Sequence, residues 1–277
     1  MSDNFEKDIN DRPIGVFDSG LGGLTVVAEL MKRFPSEKIV YLGDNARVPY
    51  GTRSPETVRK YAWNCSNFLV KKGLKLLVVA CNTASAMAID SLEEGLDIPV
   101  LGVIKAGARS AVNMSRNGKI GVLATGGTVN SGAYIKEIGL LKPSARVVQN
   151  AAPLLVPLVE EGWIEGEVPA LAVKRYLEPI IKNDVDLLLL GCTHYPILRK
   201  VIDQELINLK SKAVVVDSAT SMADDVGNIL NEKNIARDTS KEGSLDCYST
   251  DLPFSFEELA TLFLGKKPSS FQKVDII

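Results

Sequence analysis

The sequence predicts an α/β protein built from two similar parallel-sheet domains, and three observations carry that expectation. First, apolar runs such as Leu74–Ala80 and Val185–Leu190 end abruptly at small polar residues and give way to a helical pattern. Continuous runs of this kind mark parallel strands buried on both faces. Second, the layout occurs twice: Ala80-Cys81-Asn82-Thr83 closes one run and Gly191-Cys192-Thr193-His194 closes the other. Third, Ile14-Gly15-Val16-Phe17-Asp18-Ser19-Gly20 has a counterpart in Ile120-Gly121-Val122-Leu123-Ala124-Thr125-Gly126, at nearly the same offset. Landmarks repeated in one order imply an internal duplication. The expected architecture is two Rossmann-like or flavodoxin-like domains, pseudo-symmetric. Open α/β sheets bind ligands at the carboxyl ends of their strands, so the site is expected in the cleft between the domains.

Taken in order, residues 1–12 read as a loose polar tail. Pro13–Asp18 is the first strand; Ser19–Thr25 is a glycine-rich turn leading into a helix that runs to Arg33. Lys38–Leu42 is the second strand, followed by an ordered loop through Pro49-Tyr50-Gly51. Ser54-Pro55 opens a helix as N-cap and first helical residue. Val58, Tyr61, Ala62, Cys65, Phe68 and Leu69 follow the 3.6-residue period inside it. After the Cys81 turn a helix runs to about Glu94, Ile98–Val103 is a strand, and Lys105–Ala108 crosses to the second domain. There Lys119–Ala124 and Ala145–Val148 are strands. Val168-Pro169 starts a helix that Pro179 should kink or end. Pro196 sits at a helix start, Ala213–Val216 is a strand and 219–231 a helix. Residues 232–244 read as a flexible polar loop, Leu245–Thr250 as an edge strand and Phe254–Gly265 as a closing helix. The domains are expected over 13–105 plus 217–265, and over 106–216.

With 277 residues, the chain is long enough for one large or two medium cores. Its 45% hydrophobic and 24% charged residues are ordinary globular composition, and the formal net charge is −2. There is no basic block or stripe, so nucleic acid is not an expected partner. The first ten residues lack the apolar core of a signal peptide, and no apolar run approaches a membrane span. A cytoplasmic location without membrane contact is therefore expected, with the four cysteines free rather than bridged. No CxxC pair exists, which weakens a structural zinc site.

Some chemistry can be read from the residues alone. The glycines at 20, 22 and 23 fit neither a Walker loop nor GxGxxG. Exposed N–H groups there suit a small anion such as a carboxylate. Asp18 and Ser19 could serve that site or merely cap the following helix. Cys65 lies on an apolar stripe and Cys247 faces inward, so both read as packing. Cys81 and Cys192 sit at equivalent strand ends, where a thiol can face a ligand near helix N–H groups. His194, the only histidine, stands two residues past Cys192, where it can supply a proton or support a thiolate. The Glu160-Glu161 pair before Gly162 reads on its own as a solvated helix end.

Together, Asp18–Thr25, Gly43-Asp44 with Ala46–Gly51, Ala80–Ser85 and Gly191–Pro196 resemble the glutamate racemases of the cofactor-independent aspartate/glutamate racemase family. The resemblance runs from about Pro13 to Gly265. Asn45, Lys105-Ala106 and Ala152 depart from the residues commonest in that family, none at a catalytic position. The resemblance implies an isomerase that interconverts L- and D-glutamate with no cofactor and no metal, supplying D-glutamate for bacterial peptidoglycan. It implies Cys81 as the base towards D-glutamate and Cys192 as the base towards L-glutamate, with Asp18 and His194 as their auxiliary groups and Glu161 as a further acidic site residue. Ser19, Tyr50, Gly51, Asn82, Thr83 and Thr193, with Asp18 and His194, match substrate contacts, and a homodimer is implied. Thiols suit this chemistry because a reference pKa of about 8.5 makes both protonation states accessible. The residues leave alternatives: an aspartate- or hydantoin-type racemase, a zinc enzyme using Cys81, Cys192 and His194, or a two-lobed amino-acid-binding protein without turnover.

Overall fold

The computed structural model describes residues 8–252, 256–268 and 270–276. Residues 1–7 of the expected tail, and Phe254 at the expected start of the closing helix, lie outside the described residues. The chain begins with β1 (Ile14–Asp18), α1 (Leu24–Arg33), β2 (Lys38–Gly43), α2 (Pro55–Val70), β3 (Leu76–Val79), α3 (Asn82–Gly95) and β4 (Val100–Gly102). It continues through α4 (Val103–Met114), β5 (Lys119–Ala124), α5 (Gly126–Ser131), α6 (Ala133–Leu141), β6 (Arg146–Ala151), α7 (Leu155–Glu160), α8 (Glu167–Ile181) and β7 (Leu187–Gly191). The last elements are α9 (Arg199–Asn208), β8 (Val214–Asp217), α10 (Ala219–Glu232), β9 (Ser244–Ser249), α11 (Phe256–Leu264) and β10 (Phe271–Lys273).

Two parallel sheets result. One has the order β10-β9-β2-β1-β3-β4 and the other β6-β5-β7-β8. The duplication read from the sequence is visible in these orders, because β2-β1-β3-β4 and β6-β5-β7-β8 have the same connectivity. The registers correspond too: Phe17 pairs with Val79 in one sheet and Leu123 with Leu190 in the other. Strands β1, β3 and β7 are buried along their whole length, since helices cover both faces of each sheet. One apolar cluster runs from Ile14, Val16 and Leu24 into Leu188 and Leu190, so the two sheets share a continuous core. A second fills the space under α2 and α3, and a third lies between α4, α6 and strands β5 and β7. Local signals start the helices: Ser54 Oγ accepts from Thr57 N at 3.3 Å, with Pro55 following as the first helical residue.

The structure corrects three details. Strand β9 is not at an edge; it lies between β2 and β10. Three residues, Phe271–Lys273, supply the edge, a stretch too short for periodicity to reveal. Pro179 does not end α8 at its own position, since the helix continues two residues further, to Ile181. A proline so near the last turn removes one backbone hydrogen bond and little else. The polar stretch after α10 carries no regular element but is pinned at both ends. Arg237 donates to Asp11 Oδ1 at 2.9 Å and to the Ser36 carbonyl at 2.6 Å, and Ile235 is buried. Beneath it Lys75 Nζ, 2.6 Å from Glu37 Oε2, donates to the carbonyls of Asn10 and Ile235. A buried cation survives only with such partners. Among the described residues no helix is long and apolar enough to cross a membrane.

Candidate active site

The strand ends bring the chemistry together. β1 ends at Asp18, whose carboxylate is fully buried. Oδ2 accepts from Gly20 N at 3.0 Å, and Oδ1 accepts from Thr193 Oγ1 at 3.3 Å across the two sheets. Burial, outweighing the nearby His194 charge and these bonds, pushes the Asp18 carboxyl up. The glycine-rich turn after it is a packing device as much as a donor loop. A Cβ on Gly22 would stand 2.3 Å from Thr193 Oγ1 and 2.6 Å from His194 Nδ1, and one on Gly23 would stand 2.5 Å from Asp18 Cβ. Only glycine lets the first turn meet the Cys192 turn this closely.

Cys81 follows β3 and caps α3. Its Sγ accepts from Ala84 N at 3.5 Å and lies 3.5 Å from Ser19 Oγ. Burial, helped by the Asp18 charge, pushes the Cys81 thiol up to about 12. Cys192 follows β7, and its Sγ lies 4.0 Å from His194 Nδ1. The far ring nitrogen of His194 is 3.2 Å from Glu160 Oε1, and the Phe263 ring meets the imidazole edge to face at 5.1 Å. Burial disfavours a charged ring, yet the contacts with Cys192 and Glu160 outweigh it and push His194 up to about 10. The two thiols thus have unlike neighbours: Cys81 has a buried carboxylate, Cys192 a histidine backed by a second carboxylate.

The remaining candidates divide. Asn82 and Thr83 form the first turn of α3, where free N–H groups favour anions. Thr83 Oγ1 is 2.9 Å from Thr125 Oγ1, and Asn82 Nδ2 donates to Tyr134 Oη at 2.8 Å. Tyr50 is buried with its hydroxyl turned inward, donating to Asp44, which also accepts from Arg47 Nε at 2.7 Å and Thr250 Oγ1 at 2.9 Å. Gly51 lies against the second sheet, since a Cβ there would come within 2.8 Å of Thr125. Glu161 is exposed at the end of α7. Its neighbour Glu160 is the acid that reaches His194. Sequence reasoning also passed over Thr125, Tyr134 and Phe263. Thr125 had a signal, standing where Ser19 stands in the first copy; Tyr134 and Phe263 had none beyond an apolar helical pattern. Cys65 and Cys247 are buried, Cys65 beside Tyr50 Oη at 3.8 Å. A void of about 10 Å³ borders Cys192, lined by Thr25, Asn82, Thr193, Asp217 and Ser218 among others. Among the described residues no three His, Cys, Asp or Glu side chains are grouped to hold a metal ion.

Residues 24–226 match the family described as Asp/Glu/Hydantoin racemase. A glutamate racemase of Geobacter metallireducens is 46% identical over 265 residues, covering 96% of this chain and 97% of that protein. The crystal structure of a glutamate racemase isoform from Bacillus anthracis superposes with a TM-score of 0.91 at 40% identity, covering 96% of this chain and 98% of that one. The glutamate racemase of Francisella tularensis subsp. tularensis SCHU S4, solved with D-glutamate, superposes with a TM-score of 0.90 at 37% identity and the same coverage. The family match spans most of the chain and the likeness extends over nearly all of it, so this chain belongs to the Asp/Glu/Hydantoin racemase family.

Proposed function

We propose that the protein interconverts L- and D-glutamate by a two-base proton transfer at Cα that needs no cofactor. The observation that carries this reading is the pairing of Cys81 and Cys192 at equivalent strand ends, each with its own acid–base neighbour. Cys192, as thiolate, takes the Cα proton of L-glutamate: the C–H bond breaks, an S–H bond forms, and the electron pair passes to the α-carboxylate. Cys81, as thiol, gives its proton to the other face of Cα. D-glutamate reverses the roles, and proton exchange with solvent resets the sulfurs.

The environments suit these roles. In the L-to-D direction a thiol held up by burial and the Asp18 charge keeps its proton until Cα takes it; in the D-to-L direction Cys81 must first give that proton up. Positive charge beside a sulfur supports thiolate chemistry, and His194 supplies it at Cys192. Asp18 is the group near Cys81 that can relay its proton. Ser19, Asn82, Thr83 and Thr193 offer neutral donors for the two carboxylates, strongest where α3 begins. Tyr50 supports the site through the loop that carries Gly51. Glu160 orients His194, and Glu161 contributes charge at the rim. The first domain is read as 13–105 plus 217–265 and the second as 106–216, with the substrate between them. The enzyme works in the cytoplasm as a homodimer, and its D-glutamate serves peptidoglycan synthesis.

The test is a circular-dichroism assay of purified protein with L- and D-glutamate, without added cofactor and with aspartate as the control. Both hands of glutamate should converge on the racemate. Turnover of aspartate alone, or binding of glutamate without turnover, would overturn the reading.

A further inference from the structure

Tyr134 lies in α6, fully buried among Ile104, Ala108, Val122 and Leu189, yet its hydroxyl leaves that core. It accepts from Asn82 Nδ2 at 2.8 Å and shares a hydrogen bond with Ser218 Oγ at 3.3 Å. Two glycines clear its path. A Cβ on Gly191 would stand 2.8 Å from Tyr134 Cε2, and one on Gly107 would stand 3.1 Å from its hydroxyl and 2.5 Å from Ser218 Oγ. The partners occupy telling positions. Asn82 directly follows Cys81 and opens α3. Ser218 directly precedes α10, on the return from the second sheet to the first. Gly107 lies in α4, on the outward crossing. One hydroxyl therefore meets the helix behind Cys81 and both crossings, beside the void bordered by Asn82, Cys192 and Ser218.

A buried tyrosine commonly finds some polar partner. Here that partner is Asn82 at the start of α3, the helix that follows β3 of the first sheet. We propose that Tyr134 is a positioning residue: its hydroxyl fixes the Asn82 amide for the substrate, and does so only while the two halves hold their present arrangement. This rests on the reading of Asn82 as a substrate contact. The amide is otherwise free to rotate, and a donor that must be ordered on binding weakens affinity rather than the proton transfer itself.

Tyr134→Phe removes the hydroxyl and little else. The measurement is KM and kcat for both hands of glutamate, in the parent and in an Asn82→Ala background. Losing one hydrogen bond should raise KM for both hands roughly tenfold, with kcat within about threefold of the parent. In the Asn82→Ala background the same substitution should change KM less than about twofold, because nothing remains to position. Ser218→Ala gives the same reading should Tyr134→Phe not fold: a smaller rise in KM that again vanishes with Asn82→Ala. A parental KM in Tyr134→Phe, whatever its melting temperature, overturns the inference, as does an undiminished effect in the Asn82→Ala background. A parental KM in Asn82→Ala alone removes the reading of Asn82, and the inference with it.

Discussion

The Oγ1 atoms of Thr83 and Thr125 stand 2.9 Å apart, joining the first turn of α3 to the strand end that follows β5. This is a direct tie between the two halves, and Thr125 serves twice, since its Oγ1 also accepts from Thr128 N at 3.3 Å to cap α5. Thr125→Val keeps the shape and removes these bonds together with the 3.1 Å one to Thr128 Oγ1. It should cost about 1–2 kcal/mol in urea unfolding, while Thr125→Ser stays near the parent. Equal midpoints for the two variants would show that the hydroxyl holds nothing.

Asp18 is a charge kept out of water, and that burial raises its carboxyl. A group raised in the folded state contributes stability that is present below its unfolded value, about 3.9, and is lost as pH rises through the folded value. At pH 7.5 the parent therefore carries a cost that Asp18→Asn does not. The variant should melt at a higher temperature there, with the advantage shrinking towards pH 4, and should lose roughly 10²-fold in racemisation. A variant that melts lower at pH 7.5 would contradict the burial argument.

His194 provides the opposite handle. Raised to about 10 from an ordinary value of about 6.5, it contributes stability that is complete below about 6.5 and disappears as pH rises towards 10. The gap in urea midpoint between the parent and His194→Asn should narrow from pH 6 to pH 10.5. As the only histidine, its ring protons can be followed directly by NMR. Glu160→Gln should bring the titration to lower pH, because it removes the carboxylate 3.2 Å away, whereas Glu161→Gln should leave it in place. Equal titrations in both variants would rule out Glu160 as the partner.

Each thiol should act on one hand of the substrate. Serine is a far weaker acid than cysteine, so Cys81→Ser and Cys192→Ser should each lose racemisation by roughly 10³-fold or more. Cys192→Ser should still eliminate the leaving group from a β-substituted D-glutamate analogue, and Cys81→Ser from the L-analogue. Variants that lose both reactions alike, with binding intact, would refute one thiol per face. A variant racemising at the parent rate would mark its cysteine as packing.

What the residues alone determined is local or repeated. The apolar runs ending at Cys81 and Cys192 encode strands, because a strand buried on both faces must be apolar throughout. The Ile-Gly-Val repeat encodes the shared strand order, because each copy folds by the same local rules. What tertiary structure decided lies in contacts between distant segments. Of two adjacent acids, Glu160 rather than Glu161 meets His194, because α7 ends at Glu160 and reverses through Gly162 at a φ of 73°. Tyr50 turns inward to Asp44 because a buried carboxylate needs donors. Phe271–Lys273 pairs as an edge strand only because β9 already offers its backbone. Tyr134 reaches Asn82 because two glycines, one in each neighbouring element, leave space that no hydrophobic period records.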